Sequence, residues 1–264
     1  MACRHAHRIR RRIAVMQPYF FPYAGYFRLL AGVDCFVLLD CVQFNRRGRV
    51  HRTEVPAPAG GTQWLTLPLA RQPRETCIRD LAFAADARSA FDARLHRHPW
   101  LAAGSGPASD RVRAFLGSPL LRVMDFIEAG VHLVADLLDL RPEIILASTL
   151  ELPPDVRGQD RIIAIVKALQ GTEYLNAPGG RSLYDSQAFE QAGLQLEFLP
   201  PYGGDFPLLL PALMSVDPRE IQADIRRTMR APMDIDLYEH NSSLNNVHCT
   251  PGRRAGCDDS ARNH

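Results

Sequence analysis

Ile13-Ala14-Val15-Met16-Gln17-Pro18-Tyr19-Phe20-Phe21-Pro22-Tyr23-Ala24-Gly25-Tyr26-Phe27 is the stretch that decides how this chain folds. Ile13 to Met16 is short, apolar and rich in β-branched residues, the pattern of a buried strand. Pro18 and Pro22 then remove backbone donors, so neither a strand ladder nor a helix runs through the segment. From Gly25 onward, Phe27, Leu29, Leu30 and Val33 recur with a helical rhythm, and Cys35-Phe36-Val37-Leu38-Leu39 forms a second strand ending at Asp40. Strand, aromatic turn, helix and strand within about 30 residues outline one βαβ unit.

In an open parallel sheet, ligands bind beyond the carboxyl ends of the strands, which is where Gln17 to Tyr23 fall. Six aromatic side chains lie between Tyr19 and Phe27, more than a turn requires. Two readings stand side by side. The rings fill the core, as large apolar side chains generally do. Alternatively they wall a pocket, which the tyrosine hydroxyls favour because each needs a partner when buried. On the second reading Gln17, Tyr19, Tyr23, Gly25 and Tyr26 face a ligand.

Downstream, helical and strand patterns alternate. Amphipathic helices are expected from about Asp86 to His96, in a short piece capped by Asp110, over Met124 to Leu140, and over Asp160 to Leu169 with Gly171 as its natural stop. Ile144 to Ala147 and Leu194 to Leu199 read as strands, Tyr174-Leu175-Asn176 as a strand end, and Asp185 to Gln191 as a helix. This alternation defines an α/β protein with a largely parallel sheet flanked by helices. One domain is expected over residues 13–240, preceded by a basic arm over 1–12 and followed by a polar, aperiodic tail over 241–264 that is expected to be disordered.

Two further blocks leave strand ends. Asp40-Cys41-Val42-Gln43-Phe44-Asn45-Arg46-Arg47-Gly48, followed by His51-Arg52, places a carboxylate, amides and arginines together. Arginine forks match phosphate and carboxylate, so Gln43, Arg46, Arg47 and Arg52 suit an anionic ligand, unless the segment is simply a solvated loop. Tyr174 to Asp185 carries Gly179-Gly180 ahead of a helix, where exposed N–H groups favour anions, although tight turns also use paired glycines. Asn176, Gly179, Gly180, Tyr184 and Asp185 are its candidate site residues. Three blocks at one sheet edge would converge on one site.

Bulk properties narrow the class. With 46% hydrophobic and 23% charged residues the chain can build an ordinary core, and a net charge of +2 argues against general nucleic-acid binding. The arginines at 4, 8, 10, 11 and 12 concentrate positive charge ahead of the first strand, but Pro18, Pro22 and Arg28 interrupt any signal-peptide core. No segment reaches membrane-span length, and a cytoplasmic location is expected. The six cysteines form no C-x-x-C pair, and His96 and His98 point to different sides of a helix, so no metal site is expected.

The blocks Met16 to Phe27 (MQPYFFPYAGYF), Asp40 to Gly48, Trp64 to Pro68 (WLTLP) and Tyr174 to Asp185 (YLNAPGGRSLYD) resemble, in this order, the WbqC-like family of bacterial proteins. The resemblance runs from about Ile13 to Ile225 and implies a Rossmann-like fold. It also implies a place in polysaccharide or O-antigen biosynthesis, with glycine-type aminoacyl transfer to an amino sugar as the leading activity. The chain departs from the family at Cys41, where a second acidic residue is usual, at Arg49, where an aromatic is common, and at His51, where an asparagine is usual.

More distantly, Tyr23-Ala24-Gly25-Tyr26 is similar in position to the H-x-G-H element of adenylyl-transferring Rossmann-like enzymes. Tyrosines offer hydrogen bonds to a phosphate but no imidazolium charge, which Arg46, Arg47 or Arg52 would have to supply. The expected chemistry is amide formation on an amino-sugar nitrogen from an activated amino acid, with ATP or a carrier as the activating cofactor. Asp40 or Asp185 then takes the amine proton. The other reading is a non-catalytic binder of a sugar nucleotide, or a scaffold, in the same pathway. Cys41 is a nucleophile only if a base sits beside it.

Overall fold

The computed structural model describes residues 10–229; the expected arm up to residue 9 and the tail from residue 241 lie outside the described residues. Five parallel strands form the central sheet: β1 (Arg12–Met16), β2 (Cys35–Leu38), β5 (Glu143–Leu146), β6 (Glu173–Asn176) and β7 (Gln195–Phe198). Their spatial order is β5-β2-β1-β6-β7. Counted along the chain as first to fifth, that is 3-2-1-4-5, the order of doubly wound nucleotide-binding sheets. The chain therefore reverses direction across the sheet between β1 and β6, and the crevice in which such sheets take ligands falls beyond the carboxyl ends of those two strands.

Side-chain alternation on the strands builds two cores. Ile13, Val15, Cys35, Val37 and Tyr174 face one way and pack with Ile162, Ile165 and Val166 of α6 (Gly158–Ala168) and Phe189 of α7 (Ser186–Gln191). Ala14, Phe36, Leu38 and Leu175 face the other way, onto α1 (Ala24–Ala31), α5 (Val123–Leu137) and α9 (Pro218–Thr228). Strands buried on both faces explain why β1 and β2 read as continuous apolar runs.

The long excursion between β2 and β5 holds a separate antiparallel hairpin, β3 (Arg52–Pro56) and β4 (Thr62–Thr66), and the helices α2 (Ala87–Leu95), α3 (Pro99–Ala103) and α4 (Ser109–Leu116). Gly60 and Gly61 close the hairpin at φ +93° and +73°, a left-handed path that side chains with a Cβ rarely follow. Helix α8 (Leu209–Ser215) packs back onto this excursion, and its Met214 carbonyl accepts from Gly106 N–H at 3.1 Å.

Two local expectations need correction. Helix α6 ends at Ala168, and the left-handed residue is Gln170 at φ +56°, not Gly171. Gly171 is needed for a different reason: a Cβ there would lie 2.6 Å from Ile13 Cγ1, so glycine lets the end of α6 press against β1. The segment Pro178–Leu183 is a 3-10 turn rather than an open glycine loop. The hairpin, α3, α8 and α9 were not foreseen.

Candidate functional site

The aromatic turn leaves β1 at the crevice and divides its rings between two jobs. Phe20, Phe21, Tyr26 and Phe27 are buried in the core, whereas Tyr19 and Tyr23 are half-buried. Phe20 stacks on Phe126 with centroids 6.1 Å apart, and Phe21 meets Phe115 edge-on at 5.6 Å. Phe21 adopts φ +42°, an uncommon conformation for a residue with a side chain. Its carbonyl accepts from Thr53 Oγ1 at 2.7 Å, and Phe20 N–H donates to the Val50 carbonyl at 3.0 Å. Hairpin strand β3 and the residues before it thus hold the turn in a strained shape.

Within the turn, the Tyr26 hydroxyl donates to the Gln17 carbonyl at 3.2 Å, an internal brace. The side-chain amide of Gln17 and the hydroxyls of Tyr19 and Tyr23 make no hydrogen bond to the described residues. Burial pushes the Tyr19 hydroxyl up to about 12 and raises that of Tyr23, so both remain protonated donors. The Arg49 guanidinium lies 5.7 Å from the Tyr23 ring centre and pairs with Glu54 at 2.8 Å. Gly25 leaves space that the Tyr23 ring fills: a Cβ there would sit 2.3 Å from Tyr23 Cε2.

Across the crevice, Asn176 ends β6 and is buried. Its Oδ1 accepts from Ala177 N–H at 2.8 Å, and its Nδ2 lies where a Cβ on Gly180 would be, at 2.2 Å. Gly180 therefore lets the 3-10 turn close over the asparagine, while Gly179 is exposed. The Tyr184 hydroxyl lies 3.3 Å from that of Tyr174, which donates to the Val15 carbonyl at 3.5 Å. This chain of hydroxyls ties the third block to the end of β1. Asp185 is exposed and caps α7, its Oδ1 accepting from Gln187 N–H at 3.0 Å.

Asp40 stands beyond β2 at the same sheet edge and is 1% exposed. Ser148, in the 3-10 turn after β5, donates to both its oxygens: the backbone N–H to Oδ1 at 2.9 Å and the hydroxyl to Oδ2 at 2.5 Å. Glu128 of α5 carries a carboxyl raised by burial and, to a lesser degree, by the nearby Asp125 and Asp40 charges. Cys41 next door is a poor nucleophile, because burial pushes its thiol up and Arg161 reaches only its carbonyl, at 3.3 Å.

The rest of the second block turns away from the crevice. Gln43 Nε2 donates to the Arg74 carbonyl at 2.7 Å, and Arg46 donates to the Gln72 carbonyl. Arg47 is exposed. Arg52 donates to the Gly48 carbonyl at 2.9 Å and lies 4.1 Å over the Trp64 ring, clamping its own loop. The first and third blocks thus meet at the switch point, with Asp40 at the neighbouring strand end, while Gln43 and Arg46 reach the 72–74 segment, Arg47 lies in the exposed loop and Arg52 opens the hairpin. Sequence reasoning missed Ser148 and Arg49. Ser148 follows the end of the strand beside β2, and examining what leaves every predicted strand end would have found it.

Among the described residues, no group of three or more His, Cys, Asp or Glu is arranged to hold a metal ion, and no helix is long and apolar enough to cross a membrane. The profile of the WbqC-like protein family matches residues 17–207, from the first residue of the aromatic turn to beyond β7. The chain is also similar to "Uncharacterized protein Rv1507c" of Mycobacterium tuberculosis, with 24% identity over 199 residues, covering 70% of this chain and 80% of that protein. No solved structure matches. With its aromatic turn, Asp40 loop, hairpin and 3-10 turn all inside the matched span, this chain belongs to the WbqC-like protein family.

Proposed function

We propose that the protein joins an activated amino acid to the nitrogen of an amino sugar, held in the crevice between β1 and β6, as a step in the synthesis of a glycan or sugar-bearing metabolite. The observation that carries this reading is the set of unpartnered polar groups at the crevice. The Gln17 amide and the Tyr19 and Tyr23 hydroxyls lie beside aromatic surface, a combination suited to hydroxyl-rich rings with one apolar face. The amine attacks the acyl carbonyl, a C–N bond forms, the bond to the activating group breaks, and the ammonium proton passes to a base. Asp40 is a buried carboxylate at the end of β2, the strand beside β1, and the Ser148 hydroxyl on Oδ2 offers a path for that proton to solvent.

A second reading has its own support. Ser148 already occupies both oxygens of Asp40, and capping occupies one oxygen of Asp185. Carboxylates so engaged suit a protein that binds a sugar nucleotide without chemistry. Mass spectrometry of a mixture of protein, glycine, ATP and a nucleotide-linked sugar bearing a free amine separates the two. The transferase reading expects a glycyl-sugar product that disappears with Asp40→Asn in a protein that still melts as a folded chain. Saturable binding of the sugar with no product in any mixture would replace it with the binding reading.

A further inference from the structure

We propose that the groove between β4 and α2 is a separate ligand site, built to take the diphosphate of a nucleoside diphosphate. A cavity of about 550 Å³ lies there, lined by Arg46, Arg71, Arg94 and His51 over a floor that includes Phe44 and Leu69. A second cavity of about 320 Å³ adjoins it, lined in part by Trp64, Arg97 and His98. The two share Thr66 and Arg94, so Arg94 stands at the junction of a two-chambered groove.

Charge distinguishes this groove from the rest of the surface. Four arginines line it against one acidic residue, Asp86, in a chain whose net charge is only +2. None of the four makes a salt bridge to a described residue. Arg46 and Arg94 each donate to a backbone carbonyl, of Gln72 and Thr66, which fixes their direction while leaving most of their five donors free. The side chains of Arg71 and Arg97 make no hydrogen bond among the described residues. Guanidinium groups that line a concavity without salt-bridging carboxylates are matched by phosphate oxygens, which accept bidentate forks.

The shape selects among anions. Volumes of about 550 and 320 Å³ fall in the range of small-molecule sites. The larger chamber combines arginines with an apolar floor, which suits a base and ribose beside phosphates rather than a bare inorganic ion. His51 contributes no charge near neutrality, because burial and the neighbouring Arg52 and Arg94 lower it to about 4. The groove's positive potential therefore comes from arginines and persists across the physiological pH range. This site is independent of the reaction proposed for the crevice.

Isothermal titration calorimetry with UDP, uridine and inorganic pyrophosphate tests the assignment on the full-length chain. UDP is expected to saturate one site, uridine to give no binding, and pyrophosphate to bind at least tenfold more weakly than UDP. Arg71→Ala and Arg46→Ala, exposed substitutions checked for unchanged melting, should each weaken UDP about tenfold, the loss of a charge-assisted contact. Gln17→Ala should leave UDP binding intact. Absence of UDP binding, or binding untouched by both arginine variants, would overturn the proposal. Loss of binding in Gln17→Ala would move the nucleotide to the crevice, and pyrophosphate binding as tightly as UDP would reduce the groove to a simple anion site. Failure to detect aminoacyl transfer bears on none of these results.

Discussion

Asp40 and Ser148 form the polar contact that fastens β2 to β5 at the crevice edge, and a double-mutant cycle between them has a calculable outcome. Asp40 is almost fully buried and accepts two hydrogen bonds from Ser148, at 2.9 and 2.5 Å. Hydrogen bonds to a charged group contribute roughly 1.5–3 kcal/mol each. Ser148 itself is exposed, so water replaces part of what its donors lose. Asp40→Ala removes both bonds and leaves a small void, and should destabilise by about 3 kcal/mol. Ser148→Ala removes only the hydroxyl bond, about 1 kcal/mol, because the backbone N–H still reaches Oδ1. Since the two substitutions share that bond, the double variant should fall short of additivity by about 1 kcal/mol. Urea unfolding at neutral pH, with unchanged m-values, measures all four corners. Strict additivity, or an Asp40→Ala cost below about 0.5 kcal/mol, would refute the claim that this pair organises the sheet edge.

Other positions make equally direct predictions. Gly25→Ala should gain about 1 kcal/mol of helix propensity but lose more by displacing the Tyr23 ring, for a net thermal destabilisation together with weaker amino-sugar binding. Arg28 is buried in α1 and donates to the Pro200 carbonyl at 2.9 Å and the Thr228 carbonyl at 2.8 Å, bridging the exit of β7 and the end of α9. Arg28→Ala strands both acceptors and should cost about 3–5 kcal/mol in chemical denaturation. His51 is lowered to about 4 in the folded chain, so the unfolded chain binds its proton first as pH falls. The stability it supports is complete above about pH 6.5 and is lost as pH drops toward 4, amounting to about 1–2 kcal/mol once solvent screening is allowed for. Between pH 7 and pH 4 the wild type should lose about 1–2 kcal/mol more stability than His51→Leu, read from denaturation midpoints.

Much of this arrangement is legible in the sequence. β1 and β2 are buried on both faces, so their apolar runs announced a parallel sheet, and the prolines at 18 and 22 marked where β1 had to end. Gly171 misled because glycine after a helix normally means a left-handed cap; here the constraint is contact with Ile13, which no local pattern records. The hairpin was hidden because β3 mixes arginine and glutamate with proline and buries only Thr53 and Val55. That hidden hairpin is also why Arg46 and Arg52, close in sequence to Asp40, end up away from it. The division of the aromatic turn into core rings and crevice rings depends on Phe21 turning at φ +42°, a choice set by Thr53 thirty-two residues later.

The crevice between β1 and β6 is the proposed seat of the amino sugar. A crystal structure of the protein soaked with glucosamine 1-phosphate tests it most directly. The sugar ring is expected between the aromatic turn and the Asn176–Tyr184 segment, with its hydroxyls on the Gln17 amide and the Tyr19 or Tyr23 hydroxyl. A sugar bound only elsewhere would contradict it.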